Sequence, residues 1–537
     1  MKRNRAFVAP SPLTVAIASI LYGGVALVPA PVRAADPSVL EEVVVTARKR
    51  TESLQNIPAS IDVFSKEALE HLAIAKVEDY ATRTPSISII SIGPGGQYLF
   101  MRGASDGSNP EATANSIAGF FLNDVSLGYY GGIPDLHMYD LERIEVLNGP
   151  QGTLYGAGSM SGAIKLIPRK PDPNAFSAGI DVDGSYFDGG DSANHTEEAF
   201  INIPLIAGTT ALRISAFHDK QGGFINNLLT TRTWKNGVVS NNAEWARNDY
   251  NTQTFKGGRV ALLHNLNDAW KVTLQADYQE QHHTGAWDHD PARYGDLNVS
   301  RFGPEWGDNY NSIAQGKIEG DVGIGDLTYI AGYYKGRLRT VTEYSEYVQY
   351  ANVGSTTADY LQSFACDTND FTNCSNPYMY YDYRSDVKRV TNELRLQSKG
   401  DGRLRWILGG YSEQTRNTYS SYYHMPGIHQ NGEQATYMTY YYGGNATPFP
   451  EEWYSSDSRY DEHQNAIFGE ANYAVTDTVR VTAGARWFEA RSTGNGYGKY
   501  FYQPLIDTPY SGKWSKTTFR AGVEYKPREG RLFYASF

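Results

Sequence analysis

The stretch "HHTGAWDHD", residues 282–290, gathers His282, His283, Asp288, His289 and Asp290. Imidazoles and carboxylates at that density could hold a transition-metal ion. The stretch is also polar and rich in turn formers, and it is read as a solvated loop, with no metal site and no cofactor expected. His424 and His429 stand apart and carry less. "CDTNDFTNC" places Cys366 and Cys374 in one polar segment. In an oxidising compartment they would close a short loop, worth roughly 2–3 kcal/mol; two free thiols are the alternative. No "HExxH" or "GxSxG" pattern and no nucleophile–base–acid arrangement stands out, so the chain is not read as an enzyme. In "NGPQGTLYG", Gly149, Gly152 and Gly156 permit tight backbone turns and Pro150 fixes a bend. The run lacks the Lys-Ser/Thr ending of a phosphate loop.

A second kind of chemistry is backbone pairing. In "EEVVVTARKR", residues 41–50, positions 43–47 read as a strand near the chain's start. An unpaired strand-former is a hazard unless a partner is intended for it.

The elements around these residues follow from composition and period. Residues 1–35 read as a secretory signal: basic "MKRNR", an apolar stretch, then small residues around Ala34 and Ala35. Removing its four cations takes the net charge from −11 to −15, which argues against nucleic acid as a partner. No later segment has eighteen consecutive apolar residues, and the mean hydropathy is −0.48. A β-barrel escapes that test, because only alternate residues face lipid. "WKVTLQADYQ" puts Trp270, Val272, Leu274, Ala276 and Tyr278 on one face, with Lys271, Thr273, Gln275, Asp277 and Gln279 on the other. "TNELRLQSK", "VRVTAGARW" and "FRAGVEYK" repeat the alternation. Short turns at 206–209, 265–268, 323–326, 399–402, 475–478 and 527–530 alternate with long polar stretches near 220–250, 284–311, 345–385, 419–460 and 494–513. Tyrosines in "AGYYKG", "YMYYDYR" and "RWF" suit interfacial girdles. The pattern predicts a large antiparallel transmembrane barrel over 175–537, with about twelve or thirteen strands. The chain stops within the last of them, so a fragment of a longer barrel is expected.

Residues 51–174 are not barrel-like. "SKEALEHLAIAK" has helical spacing with Ser65 placed to cap it, and "SISIIS", "QYLFMRG" and "SGAIKLIP" read as strands. The ordered set "EEVVVTARKR", "LQNIPASIDVFSKEAL", "MRG", "FLNDV" and "IEVLNGPQGTLYGAGSMSGAIKLIPRKP" resembles the TonB-dependent outer-membrane receptors. The resemblance implies an α+β plug inside a barrel of 22 strands. It implies that residues 36–50 carry a TonB box, with Glu42, Val43, Val44, Val45, Thr46 and Ala47 hanging into the periplasm. There they would add as a strand to TonB, which acts with its inner-membrane energising complex. It implies that Arg102 pairs with acidic wall residues, for which Glu393 and Glu470 are candidates. Asn148 stands where the family commonly has a second arginine, and a weaker plug–wall contact is expected there. Plug apices would meet the ligand through Gln97, Tyr98, Asp106, Asn109, Tyr129 and Tyr130. Active uptake of a ferric siderophore across the outer membrane is the leading expectation. Carbohydrate, cobalamin or aromatic compounds are the alternative cargo, and a passive porin or adhesin is the alternative of another class. A regulatory receptor would need a signalling domain between the leader and the box, where only about six residues lie.

Overall fold

The computed structural model describes residues 43–91, 93–105, 117–128, 132–156, 158–234, 236–346, 365–366, 373–400, 402–428, 451–500, 506–528 and 530–537. The expected leader, Glu42, Asp106, Asn109, Tyr129, Tyr130 and His429 lie outside them. No helix among the described residues is long and apolar enough to cross a membrane, which says nothing of strands.

The front module is small and mixed. β1 (Val44–Val45) pairs antiparallel with β2 (Glu52–Ser53). β3 (Ser60–Ser65) is followed by the hairpin of β4 (Ile87–Ser91) and β5 (Gln97–Met101). Next come β6 (Ala118–Leu122), β7 (Val125–Ser126), β8 (Leu141–Asn148) and β9 (Gly162–Pro168). A five-stranded sheet runs β3-β8-β9-β6-β7, with β6 and β9 parallel. β9 is central rather than peripheral, and all seven of its residues are buried, which is why "GAIKLIP" is apolar almost throughout. The helix predicted over "SKEALEHLAIAK" is shorter than its spacing suggests. Ser65 caps it, accepting from the Ala68 N–H at 3.3 Å, but it spans only Lys66–His71. Ala73 adopts φ +48° and the chain reverses before a second helix, Val77–Ala81. The reversal lets Leu69, Ile74 and Val77 all reach one core.

From β10 (Ser177–Tyr186) onward the chain is a meander. β11 (Ala193–Ile206) and β12 (Thr210–Gln221) precede a connection carrying β13 (Asn226–Asn227), β14 (Thr231–Thr233) and β15 (Val239–Asn241). β16 (Thr252–Asn265), β17 (Trp270–Thr284), the short β18 (Asn298–Val299), β19 (Trp306–Asp321), β20 (Asp326–Glu343) and β21 (Tyr380–Gln397) follow. β22 (Leu404–His424), β23 (Glu452–Ala474), β24 (Val479–Tyr500), β25 (Ile506–Arg528) and β26 (Arg531–Ser536) complete it. Thirteen of these strands make one sheet in chain order, omitting β13, β14, β15 and β18. Every neighbouring pair in it is antiparallel. The strands reach further into the polar stretches than expected. Residues 494–498 pair with 506–510, where a long loop was predicted. Past the apolar band an outward side chain can be polar without harming the ladder, so apolar alternation fades before pairing does.

The two faces of this sheet differ in kind. Ile313, Tyr334 and Val387 join the core of the front module, and Ile407 and Phe468 join a second cluster with it. The module therefore sits on that face. On β23, Phe468 is 1% exposed and its neighbour Ile467 61%. Val260, Leu274, Tyr329, Val390, Leu394, Leu408, Trp487 and Phe519 continue the outward apolar band. On β17, outward Trp270 and Tyr278 lie eight residues apart, about 27 Å, close to the roughly 25 Å band of a bilayer-spanning barrel. The girdle reading needs one correction: Tyr333 faces out, but Tyr334 turns inward and donates its hydroxyl to Asn311 Oδ1 at 2.9 Å.

Ile467→Arg, in the middle of the band, should cost about 2–4 kcal/mol of unfolding free energy in vesicles, against about 0–1 for Thr418→Arg beyond it. Urea titration measures both, and equal costs would contradict the placement of the band.

Candidate functional site

The valine segment does not hang free. Val44 and Val45 pair with Ser53 and Glu52, and the chain turns at Lys49, whose φ is +60°. Val45 and Ala47 are fully buried, packed with Ile57, Leu154 and Tyr155 of the module and with Ile407 and Phe468 of the wall. Glu145 accepts from the Thr46 N–H at 2.8 Å, and the Tyr155 hydroxyl donates to the Ala47 carbonyl at 2.7 Å. The expectation of a dangling strand is corrected for Val44, Val45, Thr46 and Ala47: β-branched residues that would be sticky in water are satisfied by β2 and by the wall.

Tyr155 comes from the glycine-rich run, and that origin explains the run. The short helix Gly152–Tyr155 is bracketed by Gly149 at φ +91° and Gly156 at φ +90°. A Cβ on Gly156 would meet the Arg486 guanidinium at 3.1 Å, so the loop lies directly against the wall. Gly152 needs no such freedom, with a negative φ and open space around it.

Three cations follow the valines, and the wall takes all three. Arg48 pairs with Glu470 and donates to Asn472 Oδ1 at 2.7 Å. Lys49 Nζ lies 2.5 Å from Glu393 Oε2. Arg50 donates to the Trp406 carbonyl. Glu393 also accepts from Arg395 at 2.9 Å, and Arg395 stands 3.6 Å from Asp124, in the turn between β6 and β7. Asp124 is met as well by Lys165 at 3.7 Å and Lys317 at 3.8 Å. Burial pushes the Asp124 carboxyl up, but Arg395, Lys165 and Lys317 hold it well below the usual carboxylate range. Burial pulls the Lys49 ammonium down to about 8 from 10.5, only partly offset by Glu393. Lys49 is thus the member of the network that bears its charge at a cost.

The predicted lock is therefore half placed. Glu393 and Glu470 face the lumen and hold cations, but those cations are Lys49 and Arg48, not Arg102. Arg102 ends the β4–β5 hairpin at φ +53°, exposed, with its guanidinium over Gly149. Asn148 donates to Asp62 Oδ2 at 2.8 Å inside the module's sheet. "RKR" directly after the valines was the signal for the true partners, read there only as the tail of a motif. Glu145, Tyr155, Lys165, Asp124 and Arg395 had no local signal, because only the fold brings them together.

The other candidates disperse. Gln97 is 2% exposed and donates to Glu78 Oε1 at 3.2 Å, and Tyr98 is buried too, so neither offers a free surface to a ligand. His282 faces out toward Asp308, His283 is buried on the opposite face, and His289 turns to Asp296, so these histidines do not converge. Cys366 and Cys374 are joined in a disulfide.

Two outcomes test this network. Arg48→Ala leaves Glu470 buried and short of its main partner, so it should destabilise the docked segment by about 3–5 kcal/mol. Combined with Glu470→Gln it should cost clearly less than the sum of the two single changes; additivity in chemical denaturation would refute the pairing. For Lys49, between pH 8 and 10.5 a released segment keeps a proton that the docked one sheds. Docking should therefore tighten as pH rises through that window and be insensitive to this lysine below it. A spin label at Val44 should lose mobility from pH 8 to 10 in the wild type and show no such change in Lys49→Met. The reverse slope, or the same slope in both, would contradict the assignment.

Comparison with known proteins agrees with this architecture. A family model for the TonB-dependent receptor plug domain matches residues 53–163, and one for the TonB-dependent receptor-like β-barrel matches residues 338–537. The iron-regulated outer membrane virulence protein of Vibrio cholerae serotype O1 is 32% identical over 156 residues, 26% of this chain and 22% of that protein. The vitamin B12 transporter BtuB of Vibrio vulnificus is 27% identical over 236 residues, 43% of this chain and 34% of that one. Among solved structures, the ferric yersiniabactin uptake receptor FyuA from Yersinia pestis matches with a TM-score of 0.69 at 14% identity, covering 89% of this chain and 64% of that chain. The ferric-catecholate import receptor Fiu from E. coli matches at 0.63 and 14% identity, covering 91% and 70%. The matched regions thus span 22% and 34% of those two curated relatives, and at such identities the solved structures establish the fold alone. A plug seated on the polar face of an outward-apolar meander, met by both family models in chain order, places this outer-membrane chain among the TonB-dependent receptors.

Proposed function

We propose that the protein imports a scarce, bulky nutrient across the outer membrane under force from TonB and its inner-membrane complex, and that the nutrient is a ferric siderophore. The observation that carries the mechanism is the valine strand tied to the wall by Arg48–Glu470 and Lys49–Glu393. Docked there, Val44 and Val45 have their pairing occupied by β2. For TonB to add to residues 42–47 as a strand, that pairing must be exchanged and the two cations withdrawn from the wall. A ligand bound at the far end of the plug can favour that exchange only by binding the released state more tightly. Pulling on a strand whose neighbours are ion-paired to the wall transmits force to Asp124 and Glu145, and so to the plug sheet.

Relatives carry iron regulation, ferric yersiniabactin and ferric catecholate in their names. On the vestibule face, the Tyr381 and Tyr423 rings lie 4.6 Å apart between centroids, tilted by 39°, with Tyr344, Trp453 and Tyr454 within 5.5 Å of Tyr423. Such a wall offers ring faces to an aromatic or macrocyclic ligand. The BtuB relative keeps cobalamin as the second reading.

Val44→Pro removes a strand donor and should abolish uptake while leaving ligand binding at the cell surface unchanged. Cells carrying the protein as their sole receptor should take up iron from at least one of a catecholate, phenolate or hydroxamate complex. Uptake of cobalamin alone would replace the siderophore reading, and unimpaired uptake by Val44→Pro would overturn the coupling role of the segment.

A further inference from the structure

The outer wall carries a cluster that import does not use. His195 and Glu197 lie two residues apart on β11, so they share a face. Glu197 is in register with His218 on β12. Their neighbours settle which face this is. Glu198 pairs with plug residue His137, and Arg213 with Asp140, so the alternate positions point inward. His195, Glu197 and His218 therefore point outward, away from the plug. Along the same face, Ala199, Ile201, Ile203 and Leu205 on β11, and Leu212, Ile214 and Ala216 on β12, form the apolar band. The cluster sits just past that band, on the side opposite the short 207–209 turn, at the level of the outer headgroups.

We propose that His195, Glu197 and His218 bind one divalent transition-metal ion of the zinc type. Their donor atoms all lie within 4.8 Å of one another. One ion bound at about 2.0–2.2 Å from each would bring them to about 3–4 Å, a movement within reach of half-exposed side chains. His218 Nδ1 already stands 2.8 Å from Glu197 Oε2, and the two imidazole rings are 5.7 Å apart. An alternating strand pair supplies this triangle naturally: two ligands from one strand at i and i+2, the third directly across. Two imidazoles and one carboxylate favour zinc, copper or nickel over calcium or magnesium, which take oxygen donors. The remaining coordination positions face outward. Lys220, across from His195, is the one adjacent opposing charge left without an ion pair among the described residues, since Lys256, across from His218, is paired with Glu280. An ion held here would clamp the outer ends of β11 and β12 together.

The test uses the untagged full chain folded in detergent, with Zn2+ as probe. One Zn2+ per chain should bind and be removable by chelator. His195→Asn and His218→Asn should each weaken binding at least tenfold, while His264→Asn, at the other end of the wall, leaves it unchanged. Electron paramagnetic resonance of the Cu2+-loaded wild type should show coupling to two imidazole nitrogens, and to one in either variant, a readout that does not depend on comparing stabilities. Absence of a bound ion, equal affinity in all four proteins, or a Cu2+ signal unchanged by the substitutions would each overturn the proposal.

Discussion

A strand that crosses hydrocarbon must pair every backbone group, because no water is there to take an orphan. Within the thirteen-stranded ladder every strand between β10 and β26 is paired on both sides, and the rest follows from that. Full pairing leaves side chains only two directions. One direction is apolar from Val260 to Phe519. The other can then be polar, and it is lined with arginines, glutamates and asparagines that would be ruinous if bare in a dry lumen. The plug resolves that by supplying counter-charges, Asp140 to Arg213, Lys49 to Glu393 and Arg48 to Glu470, and hydrogen-bond acceptors, Ser126 to Arg389.

This seam differs from an ordinary core. Apolar clusters hold the plug's own sheet together, with Phe120, Ile144 and Ile164 wholly buried. Between plug and wall, ion pairs and hydrogen bonds take a larger share. Buried pairs return little net stability relative to apolar contacts, yet they fix register closely and are costly to break one partner at a time. They also rehydrate readily once separated. A contact that must be dismantled and remade is better served by such groups than by grease. Lys49 illustrates the balance, as it is paired, buried and still held below its ordinary pKa.

Much of this was legible in the residues. Period-two alternation in "WKVTLQADYQ" is a direct image of the two faces, and the short turns punctuate the strands where they occur. Glu393 and Glu470 could be picked as inward acids because alternation assigns a face to each position. Their partners could not be picked, since period says which way a side chain points and nothing about which plug residue arrives opposite it. Arg102 was the wrong cation for that reason. The helix after Ser65 was overextended because periodicity alone does not show a reversal at Ala73. The His195–Glu197–His218 cluster went unseen for a related cause: its third member lies across a strand pair, and only the register of β11 on β12 reveals it.

Residues 44–50 rest against the wall, and the proposed mechanism requires them to leave it during transport. A disulfide tether between Lys49→Cys and Glu393→Cys, formed in intact cells expressing the full chain, addresses that requirement most directly. The tethered protein should bind ligand normally and import none, while each single-cysteine variant imports. Undiminished import through the tethered protein would show that the segment need not move, and the account would fail.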